Sequence, residues 1–280
     1  MMHSIERIGI IGNGAVGMLM ASFLSQDYEV TLYGRVSEEQ TIRIERTGVT
    51  SADVPVRLVP THLLNERNQD VFFVTTKAHQ LEQATSGLSG AVPVFICSNG
   101  ISHLELAKAR GFHLGVVEHG VIRHGSMIEH RGLGRVRIGS QTGLRPIRFK
   151  DSLLQIVWEE DIEQVVIEKL FANAIINPIT ALCRVSNGAL RQPPYREIAA
   201  SIYEELTLLY GDRVPYSYVE AVIANTAENR SSMLRDLEEG RPTEVDAILA
   251  PLVRQAEESG ISLSVIPLLH KLILGASASC

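Results

Sequence analysis

A lysine and two asparagines recur at intervals of one helical turn in the second half of the chain. Lys169, Asn173 and Asn177 stand at i, i+4 and i+8, which places them on one face of a predicted helix. Apolar residues such as Leu170 and Ile175 border that face, as expected for positions inside a protein. A lysine beside carboxamides can protonate a developing alkoxide while the amides hold substrate oxygens. The stripe predicts either such a site or a solvated helix face.

A second group of polar residues follows nearer the C-terminus. Asn225, Asn229 and Ser232 have helical spacing and predict another polar helix face. The segment that begins with Thr243 and Glu244 has the pattern of a capping box, with Glu244 in the first turn of an amphipathic helix. From this pattern alone, the role predicted for Glu244 is stabilisation of the helix dipole, worth about 0.3–1 kcal/mol.

The N-terminal segment contains a glycine-rich G-x-G-x-x-G pattern between an apolar strand and a helical run. The first glycine suits a tight turn, the second admits a pyrophosphate close to the backbone, and the third allows the helix to pack on the strand. N–H groups at the helix start then face the phosphates. An ordinary strand-to-helix turn is the alternative. The predicted dinucleotide ligands are Gly12, Asn13, Gly14, Ala15, Val16 and Gly17.

The end of the second predicted strand indicates which dinucleotide is bound. NAD-specific sites usually place a carboxylate there, about 20 residues after the glycines, to hold the ribose hydroxyls. This chain has Leu32, Tyr33, Gly34 and Arg35 instead. A guanidinium suits a 2′-phosphate, and no carboxylate is present to repel it. Arg35 therefore predicts NADPH/NADP+ as the cofactor, with a solvated loop charge as the alternative.

The order of predicted elements indicates two domains. Short β-branched runs alternate with helical patterns in the first half, with strands at 71–74 and 94–96, which is typical of a parallel sheet wrapped by helices. Between Gly115 and Gly139, glycines separate short apolar runs and predict antiparallel strands. From about Asp151 the pattern is helical. We predict an α/β Rossmann-type dinucleotide-binding domain at 1–157 and an all-α substrate and catalytic domain at 158–280.

The overall charge and the lack of long apolar runs limit the kinds of partner that this protein could bind. A net charge of −6 and a pI near 5.9 supply no basic field for nucleic acid. The N-terminus lacks the pattern of a signal peptide, and no apolar run approaches the ~20 residues of a membrane span. We predict a cytoplasmic protein that acts on a small molecule, without a nucleic-acid or membrane partner. A homodimer is left open.

The cysteines and histidines predict neither a disulfide framework nor a metal site. Three cysteines, odd in number and far apart, suit a reducing compartment; they are Cys97, Cys183 and Cys280. The histidines His119, His124 and His130 are separated by glycine-rich loops and do not have metal-ligand spacing. No metal is predicted.

Several further motifs occur in order along the chain. They are Lys77 in TKAHQ, Asn99-Gly100 after a strand, Glu168-Lys169-Leu170 with Asn173 and Asn177-Pro178, Ser186-Asn187-Gly188, NRSSM at 229–233 and TEVD at 243–246. Together with the glycine pattern, this set resembles the ketopantoate reductases (2-dehydropantoate 2-reductases) over nearly the whole chain. The resemblance implies a Rossmann domain followed by a helical domain like that of the 6-phosphogluconate dehydrogenase group. It also implies NADPH-dependent reduction of 2-dehydropantoate to (R)-pantoate for pantothenate and coenzyme A biosynthesis.

The resemblance implies a role for each matching residue. Lys169 matches the family's proton donor to the ketone oxygen, and Glu244 matches a catalytic residue that touches both cofactor and reacting centre. Further cofactor-side positions are matched by Lys77, Asn99 and Val121. Substrate-binding positions are matched by Asn99, Asn173, Asn177, Asn187 and Ser232.

The chain departs from the family pattern in two places. After Glu244 the family often has Ile-Asp-Tyr and an Asn-Gly pair, where this chain has Val245-Asp246-Ala247 and Leu249-Ala250, and Ser98 replaces a common glutamine before Asn99. These departures leave open a reductase of the same architecture that acts on another branched 2-keto acid. A non-catalytic NADPH-binding sensor is the alternative from another class, although a sensor would need only the cofactor half, whereas Lys169 and Glu244 are present.

Overall fold

The computed structural model describes residues 5–278, which fall into two compact units. Within that range, the first unit contains residues up to 98 and residues 103–163, and the second contains residues 99–102 and those from 164 onward. The predicted division between 157 and 158 falls inside a strand, Ile156–Trp158, that belongs to the sheet of the first unit. Cys280 lies outside the described residues.

The first unit is built on one sheet, which has eleven strands within residues 5–278. The strands are β1 (Arg7–Ile11), β2 (Glu29–Gly34), β3 (Gln40–Gly48), β4 (Ala52–Pro60), β5 (Val71–Val74), β6 (Val94–Ile96), β7 (His113–Val117), β8 (Gly120–His124), β9 (Met127–Gly132), β10 (Val136–Gly139) and β11 (Ile156–Trp158). Their order is β11-β10-β7-β6-β5-β1-β2-β4-β3-β9-β8. The neighbours β4, β2, β1, β5, β6 and β7 are parallel, which is the 3-2-1-4-5-6 order of a Rossmann fold. The predicted fold class of this half is confirmed.

Three strand pairs in the same sheet are antiparallel. β7 pairs with β10 and β8 with β9, which confirms the antiparallel strands predicted between Gly115 and Gly139. The third pair, β3 with β4, was not predicted from the sequence. Arg46 explains why, because it occupies an inward position of β3 and is only 4% exposed. Its guanidinium stacks 3.5 Å from the ring centroid of Phe23 and donates to Ser22 Oγ at 2.7 Å. A charged inward residue interrupts the apolar alternation that identifies a strand.

The helices divide between the two units. Those of the first unit are α1 (Ala15–Leu24), α2 (Leu81–Thr85) and α3 (Leu104–Ala109). The second unit contains most of α4 (Ile162–Cys183) together with α5 (Tyr195–Tyr210), α6 (Tyr216–Asn225), α7 (Ser232–Glu238), α8 (Val245–Ile248), α9 (Ala250–Ser259) and α10 (Val265–Ala278). The predicted all-helical character is confirmed from α4 onward, whereas the stretch after Asp151 first forms β11.

Helix α4 is the core helix of the second unit. By length and composition it is apolar enough to cross a membrane, which the sequence prediction did not anticipate, but 78% of its most apolar window is buried inside the protein. Phe171 and Ile175, for example, are fully buried in a cluster with Ile202 of α5 and Leu252 of α9. A helix that is apolar on most sides is expected at the centre of a folded unit.

Candidate functional site

The glycine pattern forms the loop between β1 and α1. Gly12 has φ of 114° and donates its N–H to Tyr33 O at 2.9 Å. A Cβ on Gly17 would lie 1.8 Å from Gly12 O, so only glycine lets α1 pack this closely on the loop. A Cβ on Gly14 would meet nothing within 4 Å, so the loop faces open space there. No side chain caps the start of α1 and no acidic residue lies in its first turn. The loop and helix start therefore fit the diphosphate of a dinucleotide.

The remaining cofactor candidates of the first unit lie just after β2, just after β5 and on β8. Arg35 directly follows β2 and is exposed. Lys77 follows β5 and is half-buried, and Thr75 in the same segment donates its hydroxyl to Gly12 O at 3.1 Å. Val121 lies on β8 and packs against the core of this unit. The segment that carries Lys77 is thus tied directly to the glycine loop.

Arg123 on β8 also touches this loop, although it was not singled out from the sequence. Its Nη1 donates to Asn13 O at 2.6 Å. The signal that would have identified it is its spacing of two residues from Val121, because alternate residues of a strand point to the same face.

The polar stripe of the second unit lies on one face of α4, as its spacing predicted. Lys169 and Asn173 are half-buried and Asn177 is buried, with 6% of its surface exposed. No side-chain hydrogen bond within residues 5–278 involves the carboxamides of Asn173 and Asn177, and neither amide is among the polar atoms that are buried without a partner. This burial does not fit a solvated helix face, and it fits a face whose amides bind a ligand.

Asn187 begins a short 3-10 turn (Asn187–Arg191) and supplies a further unsatisfied amide. Its Nδ2 donates to Thr226 Oγ1 at 3.0 Å, and its backbone N–H donates to Asn229 O at 2.9 Å. Its Oδ1 is buried without a partner in the described part of the chain. One half of the amide is therefore fixed by the protein, and the other half is left for a ligand.

Ser232 is the first residue of α7 and is exposed. The preceding Ser231 accepts the N–H of Leu234 at 3.1 Å and pairs with Thr180 Oγ1 at 2.7 Å, which fastens the start of α7 to α4. Thr180 was not predicted, although it lies three residues after Asn177 and a continued helical stripe would include it.

The single polar helix predicted for Asn225, Asn229 and Ser232 is wrong. Helix α6 ends at Asn225 and α7 begins at Ser232, and Asn229 lies in the turn between them. The carbonyl of Asn229 accepts the N–H of Asn187, so this backbone group bonds to another segment rather than within a helix. The three residues consequently do not share a helix face.

Glu244 and Asn99 form a direct contact within the second unit. Asn99 Nδ2 donates to Glu244 Oε2 at 2.8 Å. The predicted capping box is wrong, because the N-cap of α8 is Glu244 rather than Thr243 and its side chain makes no cap hydrogen bond. Gly100, with φ of 77°, allows residues 99–102 to pack on α8, since a Cβ there would lie 2.1 Å from Ala247 O. Asn99 is therefore grouped with the helical unit.

The three histidines do not assemble a metal site. His119 Nδ1 lies 3.1 Å from His130 Nε2, and His119 Nε2 lies 2.9 Å from Leu154 O, so both rings bond within the core. His124 is exposed. Within residues 5–278, no group of three or more His, Cys, Asp or Glu side chains is placed to hold a metal ion.

A Rossmann unit with an open glycine loop, followed by a helical unit with a lysine and asparagine face, is the arrangement expected of a dinucleotide-dependent oxidoreductase. Residues 8–143 match the family described as "Ketopantoate reductase PanE/ApbA", and residues 161–276 match "Ketopantoate reductase PanE/ApbA C terminal". The chain belongs to the ketopantoate reductase family.

Similar proteins agree with this family. A 2-dehydropantoate 2-reductase of Bacillus subtilis (strain 168) is 32% identical over 284 residues, which cover 91% of this chain and 92% of the relative. The crystal structure of a probable 2-dehydropantoate 2-reductase from Bacillus subtilis has a TM-score of 0.84 at 31% identity, covering 96% of this chain and 99% of that one. A dimeric ketopantoate reductase from Staphylococcus aureus shares the fold, with a TM-score of 0.77 at 22% identity over 98% of this chain and 99% of that one.

Proposed function

We propose that this chain reduces 2-dehydropantoate to (R)-pantoate with NADPH, a step of pantothenate and coenzyme A biosynthesis. The observation that carries the proposal is the half-buried face of α4, where Lys169 lies beside two carboxamides that no described residue satisfies. The Bacillus subtilis relative named as a 2-dehydropantoate 2-reductase supports the choice of substrate. A sensor would not require an unsatisfied polar face in the helical unit.

The first unit holds the cofactor in this proposal. The glycine loop and the start of α1 bind the diphosphate, because no side chain caps the start of the helix and the space beside Gly14 is open. Arg35 pairs with the 2′-phosphate, and Lys77 and Val121 line the cofactor side. When bound, NADPH supplies the hydride that adds to the keto carbon.

The second unit positions the substrate and supplies the proton. The ammonium of Lys169 donates a hydrogen bond to the ketone oxygen and transfers its proton as negative charge develops there. Asn173, Asn177, Asn187 and Ser232 bind the substrate's carboxylate and hydroxyl oxygens.

Glu244 contributes by fixing Asn99. Its carboxylate accepts from the Asn99 amide at 2.8 Å, which fixes the orientation of that amide. A hydrogen bond to a charged group contributes about 1.5–3 kcal/mol, enough to hold one rotamer. Both residues belong to the same unit as Lys169, so the proton donor and this oriented amide share one scaffold.

The replacement of Lys169 by alanine tests the proton donor. General acid catalysis contributes about 10²–10⁴-fold, so K169A should lower kcat by at least the smaller factor while NADPH still binds. K169R should also be slow, because a guanidinium does not readily release a proton near neutral pH. The matched control is K271A, which removes an exposed lysine of α10 in the same unit.

The pH profile distinguishes proton donation from a loss of structure. In the wild-type enzyme, kcat/KM for reduction should fall as rising pH deprotonates the ammonium, and this limb should be missing in K169A. Near-normal turnover of a folded K169A with an unchanged profile would refute the mechanism.

A panel of keto acids tests the substrate. Oxidation of NADPH is followed by the absorbance of the reduced nicotinamide with 2-dehydropantoate and with other branched 2-keto acids, and the product is resolved by chiral chromatography. We expect the highest kcat/KM for 2-dehydropantoate and (R)-pantoate as product. A higher value for another keto acid would support the alternative reductase, and binding of NADPH without turnover of any would support the sensor.

We further propose that the enzyme is a cytoplasmic homodimer. The dimeric Staphylococcus aureus relative supports the assembly. Helix α10 exposes Leu268 and Leu272, one turn apart, at 56% and 47% of their surface, and such a stripe suits a protein interface. Sedimentation velocity tests the dimer, and cell fractionation tests the compartment. A monomer at micromolar concentration would refute the assembly.

A further inference from the structure

Arg123 connects the outer β-hairpin to the glycine loop. Its Nη1 donates to Asn13 O at 2.6 Å, and its Nε donates to Gly125 O at 2.7 Å. Asn13 lies between the first two glycines of the loop. Hydrogen bonds from a guanidinium are roughly twice as strong as those between neutral groups. Although its side chain is exposed, Arg123 is held at two points.

The position of Arg123 is set by the sheet. Val121 and Arg123 point to the same face of β8, and their partners on β9, His130 and Ile128, are both fully buried. The His130 ring packs edge-on against Phe23 of α1 with 5.8 Å between centroids. This face of the hairpin therefore packs on α1, and Arg123 reaches the loop that precedes the helix.

The bond to Asn13 also orients the next N–H group. In a planar trans peptide, the C=O of Asn13 and the N–H of Gly14 point in opposite directions. Because Arg123 holds the carbonyl on one side, the N–H of Gly14 is turned toward the other. The guanidinium also offsets the partial negative charge of the Asn13 carbonyl, within a loop that would hold an anionic diphosphate.

We propose that Arg123 is a cofactor-positioning residue, which holds the Asn13–Gly14 peptide in the orientation that binds the diphosphate of the dinucleotide. This inference rests on the proposed binding of NADPH at the glycine loop. The diphosphate is common to NADPH, NADH and ADP, so Arg123 acts on all three ligands. Arg35, in contrast, acts on the 2′-phosphate that only NADPH carries.

Binding measurements on variants test this difference. Kd values for NADPH and NADH are measured by nicotinamide fluorescence, and the Kd for ADP by calorimetry. R123A should raise the Kd for all three ligands by a similar factor of about 5- to 20-fold. R123K should lose less, because a lysine keeps the charge and one donor but not the fork. R35A should raise the Kd for NADPH alone. R131A is the matched control, since Arg131 lies on the same hairpin and pairs with Glu129.

Kinetics and unfolding separate positioning from a general loss of structure. At saturating NADPH, kcat and the KM for the keto acid should be unchanged in R123A, while the KM for NADPH rises. The Tm without cofactor should be close to that of R131A. Should R123A fail to fold, R123K carries the test by itself, with a smaller but equal loss for the three ligands.

The outcomes distinguish this inference from the proposed function. A wild-type protein that does not bind NADPH would refute the proposed function. If the wild type binds NADPH and the Arg123 variants bind all three ligands normally, only the inference is overturned. A loss confined to NADPH would also overturn it, because Arg123 would then contact the 2′-phosphate rather than position the loop.

Discussion

Two adjacent serines at the start of α7 should separate stability from substrate binding. Ser231 is 5% exposed, caps α7 through the N–H of Leu234 at 3.1 Å, and pairs with buried Thr180 at 2.7 Å. Ser232 is exposed and makes neither contact. We predict that S231A lowers the stability of the enzyme, whereas S232A raises the KM for the keto acid.

The expected magnitudes follow from these contacts. Loss of a serine N-cap costs about 0.5–2 kcal/mol. Loss of a buried hydrogen bond costs about 0.5–1.5 kcal/mol, so the free energy of unfolding of S231A should be lower by about 1–3.5 kcal/mol in total. At ~2–4 °C per kcal/mol for a chain of this size, the Tm should fall by about 2–14 °C. S232A should remain within about 0.5 kcal/mol of wild type, as surface substitutions usually do.

Urea unfolding, thermal unfolding and steady-state kinetics at saturating NADPH provide the measurements. S232A should raise the KM by about 2- to 12-fold with little change in kcat, because a ground-state hydrogen bond contributes mainly uniform binding. The control is S201A, which removes a half-buried serine of α5 that bonds only within its own helix in the same unit. Equal losses of Tm in S231A and S232A, or an unchanged Tm in S231A, would refute this reasoning.

Three further predictions concern the first unit. R35A should weaken the binding of NADPH by about 1.5–3 kcal/mol and leave the binding of NADH unchanged in fluorescence titrations. Equal losses of affinity for both cofactors would show that Arg35 does not bind the 2′-phosphate. G17A should abolish NADPH binding and lower the Tm of the cofactor-free protein, because the added Cβ would lie 1.8 Å from Gly12 O. Normal NADPH binding by G17A would contradict the packing of the loop. Burial lowers the pKa of His119 and His130, so the unfolded chain binds more protons than the folded one at mildly acidic pH. The free energy of unfolding should therefore fall as the pH drops below about 6.5. The loss approaches about 1.4 kcal/mol for each unit by which the folded and unfolded pKa values differ. The free energy of unfolding, measured with urea between pH 5 and 8, should depend less steeply on pH in H119Q than in the wild type. The same pH dependence in both proteins would contradict this assignment.

Features that depend on local spacing could be predicted from the sequence. The glycine loop is set by the contacts of a few neighbouring residues, and G-x-G-x-x-G between a strand and a helix describes those contacts directly. The stripe of Lys169, Asn173 and Asn177 depends only on the helical period, which α4 follows. The parallel strands of the sheet core are apolar runs because both of their faces are buried.

Features that depend on partners distant in the chain could not be predicted in this way. The guanidinium of Arg46 is accommodated by Phe23 and Ser22 of α1, and this contact makes an inward arginine compatible with β3. Likewise, the turn that contains Asn229 is stabilised by Asn187, whose N–H bonds to a carbonyl that a helix would otherwise have used. In both cases a tertiary hydrogen bond or stacking contact outweighs the local pattern.

Glu244 shows how a comparison of magnitudes decides between two roles for one side chain. The local pattern favours stabilisation of the helix dipole, worth about 0.3–1 kcal/mol, and that effect requires aligned peptides along a helix. Helix α8 has only four residues, and Glu244 makes no side-chain cap hydrogen bond to it. Its carboxylate instead accepts from Asn99 at a distance of 145 positions along the chain, and a charged hydrogen bond of this kind is worth about 1.5–3 kcal/mol. The stronger interaction is the one that the structure contains, so Glu244 is better explained as the residue that orients Asn99 than as a stabiliser of α8.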